Sequence, residues 1–220
     1  MRLAPLILLL TASGMGAGCA TAYYGVLQAF GKEKRDLLVS RVVGAKESQE
    51  DAQEQIQTTF EAFKGMTNFD GGDLEDAYNR FNSEYEDSVD AADGVSSRIR
   101  GIEKVAKDMF SEWESELGDF SNDEPGRKAK SRSEALLRDT RTKYDGLVRS
   151  MNSARDSMDP VLSSFKNQVL SLKHSLNAAA LSSLEEDAAE IQADVDSLIE
   201  DMQRSISEAE AFIQELDAAA

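Results

Sequence analysis

Residues 74–120 read LEDAYNRFNSEYEDSVDAADGVSSRIRGIEKVAKDMFSEWESELGDF, and their spacing decides the fold. Alternating steps of four and three give Leu74, Tyr78, Phe81, Tyr85, Ser88, Ala92, Val95, Ile99, Ile102, Ala106, Met109, Trp113, Glu116 and Phe120. Only Ser88 and Glu116 are polar in that series. A heptad stripe sustained this long predicts a coiled-coil-like helix, about 70 Å long at 1.5 Å per residue.

The same rhythm recurs outward from this stretch. Leu181, Leu184, Ala188, Ile191, Val195, Leu198, Met202, Ser205, Ala209, Phe212 and Leu216 form an equally clean stripe, with Ser205 its one polar member. Leu137, Tyr144, Met151, Met158, Phe165, Leu172 and Ala179 recur every seven residues in a third segment. There Asp159-Pro160 predicts a kink or a restart capped by Asp159, because proline removes a hydrogen bond and crowds the preceding turn. A first, less regular stripe runs through Tyr24, Leu27, Phe30, Leu38, Ala45, Ala52, Ile56, Phe60 and Phe63, with Lys34, Arg41 and Gln49 near its weaker turns.

Breaks at 68–73 and 121–126 pair Gly or Pro with capping residues, whereas the boundary at 177–183 has neither. The expected fold is all-α: an elongated antiparallel bundle of long helices, four in up-down-up-down order. They span about 22–67, 73–120, 127–179 with a kink at Pro160, and 181–217. Fusion of the last two into one long helix, giving a three-helix bundle, is the alternative. Only 3 prolines and 14 glycines punctuate the chain, too few for the turns of a sandwich or barrel. Residues 19–220 read as a single domain.

Residues 1–18 read as a cleaved export signal. Arg2 supplies the positive charge, Leu3 to Leu10 an apolar run, and Thr11 to Gly18 a small-residue tail. The run is shorter than the roughly 20 residues a bilayer span needs. Gly16-Ala17-Gly18-Cys19 resembles a lipobox, the site at which a diacylglyceryl group is attached to cysteine before cleavage. It departs from the pattern at Gly16, where Leu is preferred. Cys19 is the chain's one cysteine, so the expectation is lipidation there; ordinary cleavage with a free thiol is the plainer alternative. Ala20, rather than an Asp, follows the cysteine and leans the expected address toward the outer membrane, facing the periplasm of a Gram-negative bacterium.

The formal net charge is −17, which excludes the positive field that nucleic-acid binding requires. Basic residues nonetheless cluster at Lys32, Lys34 and Arg35, and at Arg127, Lys128, Lys130 and Arg132. In an up-down bundle both clusters fall at the anchored end, where they are candidates to face anionic headgroups. Ion pairing with the acids of neighbouring helices is the plainer reading.

Other features read as structure. Asp70-Gly71-Gly72-Asp73 lacks the alternating ligands of a calcium loop and fits a turn capped by Asp73. One histidine, His174, cannot supply the two Glu-x-x-His motifs of a di-iron bundle. Tyr78, Phe81, Tyr85 and Trp113 lie on the seam and read as core rather than pocket. With the cysteine committed to lipid, no phosphate-cradling glycine loop and no nucleophile elbow, no enzymatic activity and no cofactor are expected.

Several stretches resemble a known family: Tyr23-Tyr24-Gly25, Phe30-Gly31-Lys32-Glu33-Lys34-Arg35-Asp36, and Asn68-Phe69-Asp70-Gly71-Gly72-Asp73-Leu74-Glu75-Asp76. Met158-Asp159-Pro160-Val161-Leu162 and Leu172-Lys173-His174-Ser175-Leu176-Asn177-Ala178 complete the set. They are similar to the domain-of-unknown-function 2959 family of proteobacterial predicted lipoproteins. The resemblance implies a helical envelope lipoprotein and carries over no catalytic residue. The expected role is structural, as a spacer or a surface on which a protein partner docks. Peripheral lipid binding through the basic clusters comes second, and enzymes last. Oligomeric state stays open.

Overall fold

The computed structural model describes residues 18–67, 73–174 and 178–218, with side chains over 33–67, 73–174, 184–185 and 187–216. Five helices follow one another: α1 (Gly18–Thr67), α2 (Leu74–Glu116), α3 (Glu124–Asp156), α4 (Met158–His174) and α5 (Ala178–Ala218). α3 and α4 are successive halves of one rod parted at Ser157, so the architecture is the expected four-rod antiparallel bundle. Among the described residues there is no strand.

Cross-helix pairs fix the register. α1 and α2 run antiparallel through Lys34–Glu112 at 2.8 Å, Thr59–Ser88 at 2.8 Å and the Phe63 and Phe81 rings at 5.5 Å. α2 meets the third rod through Trp113 Nε1, which donates to Ser133 Oγ at 2.8 Å, and through Phe81 against Phe165 at 6.0 Å. α5 runs back along that rod, with Gln168 bonded to Asp187 at 2.9 Å and Lys143 paired with Glu215 at 3.0 Å. That pairing makes the third and fourth segments a hairpin and rules out the fused helix. α5 closes the ring on α1 through Lys46–Glu210 at 2.9 Å.

The helix ends differ from the sequence reading for local reasons. Asp73 caps α2 by accepting from the amides of Glu75 at 2.9 Å and Asp76 at 3.3 Å. Those two acids also favour the positive end of the helix dipole. α2 ends at Glu116, not 120: Gly118 and Asp119 donate to the carbonyls three residues back, Ser115 and Glu116. Glycine is a weak helix former, and acids in a final turn without a basic residue oppose the dipole. α3 starts at Glu124 rather than 127, because Asp123 caps it and Pro125 fits its first turn.

The break in the third rod falls at Ser157, and Asp159 is not its cap. A proline ring displaces the carbonyl four residues earlier, here that of Asp156, the last residue of α3. Pro160 itself lies in the first turn of α4, where an amide has no helical partner to lose. Ser157 Oγ reaches across to Asp201 Oδ2 at 2.6 Å and ties the break to α5.

Where side chains are described the predicted stripes line the core; those of Tyr24, Leu27, Phe30, Ala179 and Leu181 lie outside the described residues. Phe81, Ser88, Val95, Ile99, Ile102, Ala106 and Met109 are buried on α2, and Leu184, Ile191, Val195, Leu198, Met202, Ser205, Ala209, Phe212 and Leu216 on α5. Tyr78, Tyr85 and Trp113 pack against that core, as the seam reading expects. Ser88 and Ser205 are fully buried because each bonds across the interface, to Thr59 and to Gln49. On the third rod Leu147, Ala154, Val161 and Val169 are buried with Thr140, beside the predicted heptad column.

Candidate functional site

The end of the bundle where α1 begins gathers both basic clusters. Lys34 touches Glu112, four residues from the end of α2, and the next residue of α2, Trp113, bonds to Ser133 on α3. The start of α3, which carries the second cluster, and the Lys34 region thus flank the same end of α2. The side chains of Cys19 and Lys32 lie outside the described residues, as do residues 1–17 and most of the 68–73 turn.

Acids occupy part of this positive charge. Besides Lys34, Arg127 pairs with Glu124 at 2.7 Å and donates to the Asn122 carbonyl, and Lys128 lies 3.8 Å from Glu124. Lys130 and Arg132 have no ion-pair partner among the described residues, and Arg132 is exposed. Arg35 is half-buried on α1. At the tip of α2, burial pushes the Glu116 carboxyl upward, helped by the negative charges of Glu112 and Asp119 and opposed by Lys34.

The loop before α3 is tightly built. Asp123 Oδ1 accepts from Ser121 Oγ at 2.6 Å and from the Gly126 amide at 2.8 Å. The Ser121 bond first, then the amide, holds the Asp123 carboxyl below the usual range. A β-carbon at position 126 would collide with the Ser121 carbonyl and hydroxyl, so glycine is required there.

Two lysines that the sequence reading did not single out bind α5 to the other rods. Lys46 on α1 pairs with Glu210 and Glu50, and Lys143 on α3 with Glu215 and Asp139. Hydrogen bonds to Glu210 and to Asp139, respectively, are the largest causes raising these ammonium groups above their usual value. The signal available in the sequence was the excess of acid on α5, which obliges its neighbours to supply cations.

At mid-height, the Ser157 break leaves an open cleft of about 520 Å³ between α2 and the third rod. Val89, Ala92 and Leu162 form its apolar side, with Asp93, Asp159 and Arg155 on its rim. Arg155 is occupied by its neighbour Asp156 at 2.6 Å. Ser96 and Asp156 complete its lining. Among the described residues no cluster of His, Cys, Asp and Glu is arranged to hold a metal ion, and no helix is long and apolar enough to cross a membrane. His174 stands exposed at the end of α4.

A family model described as a protein of unknown function, DUF2959, matches residues 23–216, nearly the whole chain. No curated protein matches it.

Proposed function

Starting from the fact that the chain belongs to the DUF2959 family, we propose that it is a lipid-anchored envelope protein whose bundle serves as a spacer and docking surface rather than as an enzyme. The observation that carries the reading is the continuity of α1. It includes the one cysteine, Cys19, and runs unbroken to Thr67. A tether at Cys19 would then be one piece with a rod about 75 Å long, at 1.5 Å a residue. The export-signal pattern of residues 1–18 and the small residues before Cys19 support the tether. Each buried methylene of the attached chains contributes about 0.8 kcal/mol, and several chains hold almost irreversibly. Ala20 in place of Asp favours the outer membrane, facing the periplasm.

Mass spectrometry of the mature protein tests the tether. The expected product begins at Cys19 and carries acyl chains, and Cys19→Ala moves the protein to the soluble fraction. A mature chain with an unmodified thiol at Cys19 defeats the proposal.

A second reading has one observation in its favour: Lys130 and Arg132 keep their charge without ion-pair partners among the described residues, on a chain of net charge −17. Cations near an anionic surface each contribute about 1 kcal/mol. Vesicle flotation of the full chain without its lipid tests it. Binding that does not depend on anionic lipid excludes the headgroup contact.

A further inference from the structure

Two arginines cross one turn of the α1–α2 seam over bare backbone. A β-carbon added at Gly44 on α1 would meet Nη1 of Arg98 at 3.9 Å, and one added at Gly101 on α2 would meet Cδ of Arg41 at 4.0 Å. Gly44 stands three residues after Arg41, and Gly101 three after Arg98. The two side chains therefore span the same step of the antiparallel pair, reaching in opposite directions. Both are exposed.

Among the described residues neither arginine has an ion-pair partner. Neither has an acid three or four residues away on its own helix, where such a pair would form most readily. The chain carries 41 acids against 24 lysines and arginines, yet this step of the seam sets two like charges together. Their mutual repulsion opposes folding until an anion joins them.

The glycines leave room beneath the pair. Glycine weakens a helix interior relative to alanine. A methyl group at 44, 94 or 101 would nonetheless make only ordinary contacts, since the nearest atoms lie at 3.9, 3.6 and 4.0 Å. Packing of α1 on α2 does not demand glycine at these places. What glycine supplies is open helix surface under the two guanidinium groups.

The donors select the ligand. One guanidinium satisfies both oxygens of a carboxylate with its two parallel N–H bonds. A second guanidinium at the same step suits an anion with more oxygens and a charge near two, and a phosphate group has three free acceptor oxygens and about 1.5–2 negative charges at pH 7. We propose that Arg41 and Arg98 form a clamp for a phosphate group, with Gly44 and Gly101 as its floor.

Isothermal titration of the purified full chain with inorganic phosphate, at an ionic strength fixed with chloride, tests the clamp. The expected result is saturable binding that Arg41→Gln and Arg98→Gln each weaken at least tenfold. Arg100→Gln, on another face of α2 and with Glu103 three residues on, should change it by less than about twofold. Glycerol 3-phosphate tells the source of the group. Binding at least tenfold tighter than that of phosphate assigns the clamp to phosphate esters such as lipid headgroups, and equal or weaker binding assigns it to free phosphate. Thermal melts separate the clamp from a purely packing role. Without phosphate the two variants should melt no lower than the parent, because repulsion is relieved, and added phosphate should raise the parent alone. Variants that melt lower yet bind phosphate as the parent does would make the arginines packing groups and overturn the proposal. No saturable phosphate binding, acetate bound as tightly as phosphate, or an equal loss in Arg100→Gln also overturns it.

Discussion

Ser205 on α5 donates its hydroxyl to Oε1 of Gln49 on α1 at 2.9 Å, in the fully buried core and across 156 residues of sequence. Gln49 Nε2 is buried there with no hydrogen-bond partner among the described residues. A polar pair in an otherwise apolar seam costs stability and excludes alternative alignments, since any slip of α5 strands both groups among methyls. The pair therefore specifies the register of α1 against α5.

Removing one partner and removing both should have opposite effects. Ser205→Ala leaves the Gln49 carbonyl unsatisfied and should destabilise the fold by about 1–3 kcal/mol. Adding Gln49→Leu should recover that loss, because both polar atoms and the unpartnered amide disappear together. A urea-unfolding double-mutant cycle measures it; additive losses would refute the coupling.

Phe81 joins three rods, lying 5.5 Å from the Phe63 ring and 6.0 Å edge-on to Phe165, with no exposure. Phe81→Ala should cost about 3–5 kcal/mol, the range for deleting a buried aromatic ring. The expected readout is a lowered urea midpoint at unchanged helical content in water. A loss below about 1 kcal/mol would mean that the three-ring stack is not part of the cooperative core.

The heptad pattern made the bundle legible because a buried stripe and its spacing are both written along one helix. Every member of the α2 stripe from Phe81 to Met109 is buried or packed on the core. What connects different helices was harder to read. Gln49 and Ser205 each stood out as polar positions on a seam, yet their meeting depends on the α1–α5 register, which no local pattern encodes. The position of the kink likewise follows from the reach of a proline ring to the carbonyl four residues back, so the break lies at Ser157 and not at the Asp-Pro pair. Of the candidate site, the basic residues were visible as charge. Which of them acids would occupy was not, because Glu112 reaches Lys34 from another helix.

The cap of α3 predicts sensitivity to both size and acid. Gly126 is buried against Ser121, so Gly126→Ala must displace the loop and should cost about 1–3 kcal/mol, as overpacking does. Asp123 has its carboxyl held below the usual range in the folded chain. Its contribution is thus present above the unfolded carboxylate value of about 3.9 and lost as pH falls through the lower folded value. Asp123→Asn should flatten that acid-side loss in melts recorded from pH 5 downward. An identical pH profile in the variant would remove Asp123 as its source.

Tyr144 lies between Phe110 at 5.3 Å and Phe212 at 6.5 Å, and burial, with the charges of Glu103 and Asp145, pushes its phenol up to about 12. The folded state holds this proton more tightly than the unfolded chain, whose tyrosine titrates near 10. The associated stability is present below about pH 10 and is lost as pH rises through 12. Ultraviolet titration should show one tyrosine ionising about two units late, and Tyr144→Phe should delete that step. A titration complete by pH 11 in the folded protein contradicts it.

Ser157 and Pro160 together make the break in the third rod, and the two substitutions separate their roles. Ser157→Ala removes the 2.6 Å bond to the Asp201 carboxylate and should destabilise the fold by about 1.5–3 kcal/mol, the range for a hydrogen bond to a charged group. Pro160→Ala restores an amide at position 160 and frees the Asp156 carbonyl from the ring, so α3 and α4 can join in one continuous helix. Amide exchange should then show new protection at residues 157–160, with the cleft beside Ala92 and Leu162 reduced as the rod straightens. If protection there is unchanged in Pro160→Ala while Ser157→Ala restores continuity, the Ser157–Asp201 bond, and not the proline, makes the kink.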